Sequence, residues 1–167
     1  METKIIADTG SDLTHELVEE LNIDLLSIIV THEEVEYKDR IDITQKEIFE
    51  KQRNCESFST SQIPLFEYLE TFESYAKKGV DFIYLSLSSG MTGGFNNALM
   101  AIRELEAKYP NVKMKALDSK AASVGYGLET YYLAKAAKNG ADFNELIELC
   151  EFLSKNIKHV FTVFDME

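Results

Sequence analysis

Short apolar runs that end in small, hydroxyl-rich loops alternate along this chain with longer amphipathic runs. That alternation limits the fold more than any other feature. A strand buried on both faces is written as a continuous apolar run, whereas a covering helix places apolar residues three and four apart. Repeated exchange of the two patterns predicts βαβ units. The expected class is therefore α/β, a mainly parallel sheet with helices on both faces.

The first run, Thr3 to Ala7, reads as a strand and leads into the turn-rich Asp8-Thr9-Gly10-Ser11-Asp12. A short helix follows, with Leu17, Val18 and Leu21 on one face. Leu25 to Val30 reads as a second strand and Val35-Glu36-Tyr37 as a short additional one. Thr44 and Glu47 form a capping box that starts a helix before Ile48 and Phe49. Asn54 to Gln62 reads as a polar loop, and Pro64 stands in the first turn of a helix bearing Leu65, Tyr68, Leu69, Phe72, Tyr75 and Ala76. Gly79 fits that helix's stop.

Asp81 to Leu87 is the next strand, ending in Ser88-Ser89-Gly90-Met91-Thr92-Gly93-Gly94. Phe95, Ala98, Leu99, Ile102 and Leu105 then mark a helical face closed by Pro110. Val112 to Leu117 is a strand before Asp118-Ser119, and a long Ala- and Tyr-rich helix runs to Gly140. Asp142 or Asn144 caps a last helix through Leu146, Leu149 and Leu153, and His159 to Phe164 reads as a closing strand. There is no internal repeat and no flexible linker. The 167 residues suit one domain with a real core.

Charge removes whole classes of partner. The 29 acidic residues outnumber the 17 basic ones, a formal net charge of -12. Such a surface repels phosphate backbones and anionic bilayers, which argues against nucleic acid. No apolar run approaches the ~18 residues of a membrane span. Cys55 and Cys150 lie far apart without metal-ligand spacing, so two free thiols in a reduced, cytoplasmic setting are expected, and no metal.

In an open parallel sheet a ligand sits beyond the carboxyl ends of the strands. Asp8 to Asp12, Ser88 to Gly94 and Asp118 to Gly127 all fall there, and Ser59-Thr60-Ser61-Gln62 is placed to join them. One such loop is ordinary turn chemistry; four exceed what turns require. Ser88 to Gly94 opens a helix, and its glycines allow close backbone approach, which suits a small anion. It lacks the Gly-Lys-Ser/Thr of a phosphate-binding loop and the dinucleotide fingerprint. A carboxylate and a phosphate both remain open on this basis.

Three further readings are available. Ile5-Ile6-Ala7-Asp8-Thr9-Gly10-Ser11 is similar to an aspartic-protease strand, but such an enzyme needs two carboxylates sharing a proton and little helix. A serine hydrolase would use Ser88 or Ser89 with His15, His32 or His159 as base, yet no Gly-x-Ser-x-Gly elbow is present. A phosphate- or nucleotide-binding α/β domain shares the glycine-loop argument.

Four motifs together, in order and spacing, resemble the DegV family: Asp8-Thr9-Gly10-Ser11-Asp12-Leu13, Phe58-Ser59-Thr60-Ser61-Gln62, Ser88-Ser89-Gly90-Met91-Thr92-Gly93 and Asp118-Ser119-Lys120-Ala121-Ala122-Ser123-Val124-Gly125-Tyr126-Gly127. The resemblance spans nearly the whole chain. It implies a non-catalytic carrier without cofactor that buries a long-chain fatty acid such as palmitate and presents it to a fatty acid kinase. It places the carboxylate on the hydroxyls of Thr60 and Thr92, where Thr92 replaces the more usual Ser. Ser61, Ser89, Gly93 and Ser119 of the same motifs complete the expected ligand set. Phe58, Ile63, Met91 and Phe95 are the candidates for touching an acyl chain. The family also continues into a second domain that covers the acyl chain and supplies a basic residue. Residues 1–167 therefore correspond to its first domain, and an exposed interdomain surface is expected to favour self-association.

Overall fold

The computed structural model describes residues 2–160. Four parallel strands form its central sheet: β1 (Lys4–Asp8), β2 (Asp24–Leu26), β6 (Phe82–Ser86) and β7 (Met114–Asp118), in the order β2-β1-β6-β7. A second, antiparallel sheet holds β3 (Ile29–His32), β4 (Val35–Lys38) and β5 (Ser59–Ser61), in the order β4-β3-β5. The helices are α1 (His15–Glu20), α2 (Gln45–Arg53), α3 (Leu65–Ala76), α4 (Gly94–Lys108), α5 (Ser123–Lys138) and α6 (Phe143–Asn156).

Successive side chains of a strand point to opposite faces, and the core divides accordingly. Ile5, Ala7, Ile83 and Leu85 pack with Tyr126, Leu133, Leu146 and Cys150 of α5 and α6. Ile6, Phe82 and Tyr84 pack the other way, on Tyr68 and Phe72 of α3 and Ala98, Ile102 and Leu105 of α4. The expected fold class holds: a largely parallel sheet covered by helices on both faces. Both capping boxes are in place, Thr44 with Glu47 and Asp142 with Glu145, so Asp142 and not Asn144 starts α6. Gly79 takes a φ of 68° just beyond α3, as a helix stop requires. Cys55 is exposed and Cys150 buried, both as free thiols.

Two segments depart from the expected elements, and both shape the site. The run Leu25 to Val30 is not one strand. β1 ends at Asp8, paired with Leu26, so no parallel partner remains beyond that point. The Ile28 amide donates instead to Thr9 Oγ1 at 3.1 Å, and the chain leaves for the antiparallel sheet. The polar stretch Asn54 to Gln62 contains a strand, β5, held to β3 by the pairs Val30 with Thr60 and Thr31 with Ser59. Ser-Thr-Ser carries no apolar alternation, so its pairing is set by β3 and not by its own residues. Pro64 is the N-cap of α3, with extended backbone, and not a residue of its first turn. His159 and Val160 are irregular, and the rest of the strand read to Phe164 lies outside the described residues.

Candidate ligand site

Strand order fixes where a crevice can form. From β1 the chain builds outward to β2 on one side, and through β6 to β7 on the other. The switch point is therefore the gap between β1 and β6, at their carboxyl ends. A cavity of about 370 Å³ lies there. Its floor is Asp8, Ser86 and Leu87 from the two strand ends, with Tyr68 and Tyr84 beneath. One wall is Thr60, Ser61, Gln62 and Ile63; the other is Met91, Thr92, Gly93 and Gly94, with Ile28 between.

Four of the six expected ligand residues meet in this cavity: Thr60, Ser61, Thr92 and Gly93. Thr60 and Ser61 are exposed on β5, while Thr92 and Gly93 are half-buried. Thr92 Oγ1 accepts from the Gly94 amide at 3.3 Å, which orients its hydroxyl at the start of α4. A Cβ on Gly93 would run into Gln62 Oε1, so glycine here lets the two walls close on each other. Asn97 Nδ2 donates to the Ile63 carbonyl at 3.0 Å and joins α4 to the opposite wall.

Ser89 and Ser119 are placed elsewhere. Asp118 receives both the Ser89 hydroxyl, at 2.6 Å, and its amide, at 3.1 Å. Ser119 is buried and turns on itself, its Oγ accepting from the Ala121 amide at 3.1 Å. Ser89 thus joins the β6 and β7 loops, Ser119 braces its own loop, and neither lines the cavity. Of the acyl-chain candidates, Ile63 and Met91 line the cavity, Phe95 packs on the α3–α4 core, and Phe58 stacks on His32.

Sequence reasoning missed the polar network that Asp8 gathers at the floor. Asp8 is 2% exposed and accepts from the Gly10 amide at 3.0 Å, the Leu87 amide at 3.1 Å and the Tyr84 hydroxyl at 2.9 Å. Tyr68 continues the chain to Tyr84 at 3.1 Å. Burial raises the Asp8 pKa, and these donors oppose the rise. Burial first, and the neighbouring Asp8 charge second, push Tyr84 well above the ordinary phenol range. Asp8 thus pins the ends of β1 and β6. The tyrosines sat unnoticed inside apolar runs, where nothing distinguished them from core residues.

The same geometry lends the two enzyme readings no support. Asp8 is buried, bonds to Tyr84 and Tyr126, and faces no second carboxylate among its bonded partners, and the fold is rich in helix. His15 pairs with Glu19, His32 pairs with Glu56, and His159 lies against Gly125. Ser89 bonds to Asp118 instead. Among the described residues no cluster of three or more His, Cys, Asp or Glu is arranged to hold a metal ion, and no helix is long and apolar enough to cross a membrane.

A sequence profile described as "uncharacterised protein, DegV family" matches residues 2–167. The chain belongs to the DegV family. A DegV domain-containing protein of Clostridium perfringens is 36% identical over 165 residues, which is 98% of this chain and 57% of that protein. The chain thus spans little more than half the length of that curated relative. A 15.5 kDa DegV domain-containing protein of Staphylococcus aureus is 32% identical over 125 residues, 75% of this chain and 86% of its own length.

Solved DegV structures share the fold. The Bacillus subtilis DegV, described as a fatty acid binding protein, superposes with a TM-score of 0.82 at 25% identity, over 93% of this chain and 54% of that one. A stearic acid-binding protein of Eubacterium ventriosum gives 0.84 at 22% identity, over 89% and 52%.

Proposed function

We propose that this DegV chain is a non-catalytic, cytoplasmic carrier that binds one long-chain fatty acid by its carboxylate. The observation that carries this reading is a cavity at the sheet's switch point lined by three hydroxyl residues, Thr60 and Ser61 from one wall and Thr92 from the other. A carboxylate accepts hydrogen bonds only, and hydroxyl donors complement it. Gln62 adds an amide donor on the same wall. The acyl chain leaves this polar mouth past Met91, Ile28 and Ile63.

The bound carboxylate is offered to a separate fatty acid kinase, which phosphorylates it; an open mouth suits that transfer. A buried methylene contributes about 0.8 kcal/mol, so an acyl chain lying on one wall alone binds far more weakly than an enclosed one. Val124, Leu128 and Tyr132 form an exposed stripe along α5, and self-association of the 167 residues uses such apolar surface.

Isothermal titration with palmitate and with ATP tests the reading. Heat with palmitate and none with ATP supports a fatty-acid carrier. The reverse result assigns the cavity to phosphate chemistry.

A further inference from the structure

β5 carries two of the site's hydroxyls, yet no side chain of β5 anchors it. All three of its residues are exposed, and it is an edge strand of a three-stranded sheet. A short, exposed edge strand is kept by main-chain bonds alone and frays unless the chain entering it is held.

His32, at the end of β3, supplies that hold. It is 6% exposed, and both ring nitrogens are engaged. Nε2 lies 2.8 Å from Glu56 Oε2, and Nδ1 lies 3.2 Å from the carbonyl oxygen of Ser57. The ring stacks on Phe58 with centroids 4.4 Å apart and planes 21° from parallel. Three consecutive residues leading into β5 therefore rest on one imidazole.

Both of its partners are acceptors, an ionised carboxylate and a carbonyl. A neutral imidazole has one N–H and one lone pair, so either tautomer sets a lone pair against an oxygen. Only the imidazolium donates to both. Lys51 of α2 is the alternative donor to a neutral Nε2, but it stands farther off, at 3.4 Å, and bonds Glu56 Oε2 at 3.0 Å. The Lys51 hydrogen bond first, with His32 among the lesser causes, holds the Glu56 pKa below the usual carboxylate value. Glu33 of the β3–β4 turn and Tyr37 of β4 complete the titratable groups around Lys51.

We propose that His32 is the positioning residue of the ligand site. Its ring pins Glu56, Ser57 and Phe58 so that β5 presents Thr60 and Ser61 to the cavity. The hold on β5 stands on this sheet alone; its consequence for a ligand rests on the carrier reading above.

Two variants of the unliganded chain test it, so that a failed ligand reading does not decide the outcome. His32→Phe keeps a ring to stack on Phe58 without any N–H, and hydrogen exchange should show its β5 amides about tenfold less protected than in the wild type, the change expected when a charge-assisted bond is lost. The amides of α4 should not follow. Glu56→Ala removes the partner and keeps the ring, and it should give the same local loss. Wild-type β5 protection in either variant, or a loss shared equally by α4, overturns the proposal. Should His32→Phe fail to fold, Glu56→Ala decides alone.

Discussion

Asn97 Nδ2 donates to the Ile63 carbonyl at 3.0 Å, so the helix that follows Thr92 and Gly93 holds the loop that follows Thr60 and Ser61. The two halves of the candidate site are far apart in the chain, and this bond fixes their separation. Removing the donor leaves a half-buried carbonyl without its partner, at a cost of about 1–2 kcal/mol. Asn97→Ala is expected to lower the unfolding free energy in urea by that amount and to weaken palmitate binding as well. Unchanged binding would show that the walls are aligned by other contacts.

The carboxylate clamp is tested by hydroxyl removal. If Thr60 and Thr92 both donate to a charged carboxylate, each Thr→Val change should cost about 1.5–3 kcal/mol of binding. That is roughly ten- to hundred-fold in Kd. Thr→Ser keeps the donor and should be nearly neutral at both positions. Calorimetric titration of the four variants gives the comparison. Equal loss in Val and Ser variants would mean the methyl groups matter and the hydroxyls do not.

Two glycines should fail in different ways. A Cβ at Gly93 meets only the end of the Gln62 side chain, which can swing aside. Gly93→Ala should therefore fold normally and lose ligand affinity, because the displaced Gln62 disturbs the mouth. A Cβ at Gly127 meets the Ser11 backbone carbonyl, which cannot move without shifting the turn after β1. Gly127→Ala should cost about 1–3 kcal/mol of stability, the usual penalty of overpacking. Thermal melts and palmitate titrations on the pair separate the two outcomes.

Stability should carry a pH slope from α5. Glu129 is fully buried and neither carboxyl oxygen has a hydrogen-bond partner. Burial first, and the Asp118 charge second, raise its pKa from 4.5 to about 7. The unfolded chain loses this proton near the lower value, and the folded chain keeps it until the higher one. Between them the folded state binds more protons, so stability falls as pH rises and levels off above the folded pKa. The loss is on the order of 2–3 kcal/mol. Asp8 is also raised and adds to the slope in the same sense. Glu129→Gln should flatten the Glu129 part and be more stable than the wild type at pH 8, as urea denaturation at several pH values would show. Parallel pH profiles for the two proteins would count against this account.

The layout of the parallel sheet could be read from sequence because strands buried on both faces and amphipathic helices carry different periods. Phe82 to Ser86 and the faces of α3 and α4 obeyed that rule. The Ser88 to Gly94 loop was also legible, since it ends a strand at the switch point of such a sheet, whereas Thr60, Ser61, Thr92 and Gly93 were singled out by the family resemblance, and the fold brings all four to one cavity. β5 was not. Ser59 to Ser61 has no pattern of its own, and its pairing is dictated by β3, many residues away. Ser89 and Ser119 looked like ligand groups, because composition does not tell a hydroxyl that ties two loops or braces its own from one that faces a cavity. Asp8 was visible in its motif, yet its partners Tyr84 and Tyr126 are distant in sequence and meet it only in the fold.

The central claim, that Thr60 and Thr92 hold a fatty-acid carboxylate, is most directly tested by mass spectrometry of organic extracts from the purified 167 residues after incubation with palmitate. On a gel-filtration column equilibrated with palmitate, which reads weak binding as well as tight, the wild-type peak should carry the acid, and the Thr60→Val/Thr92→Val double variant should carry far less at equal helicity. Equal retention in both proteins, or none in either, would contradict the account.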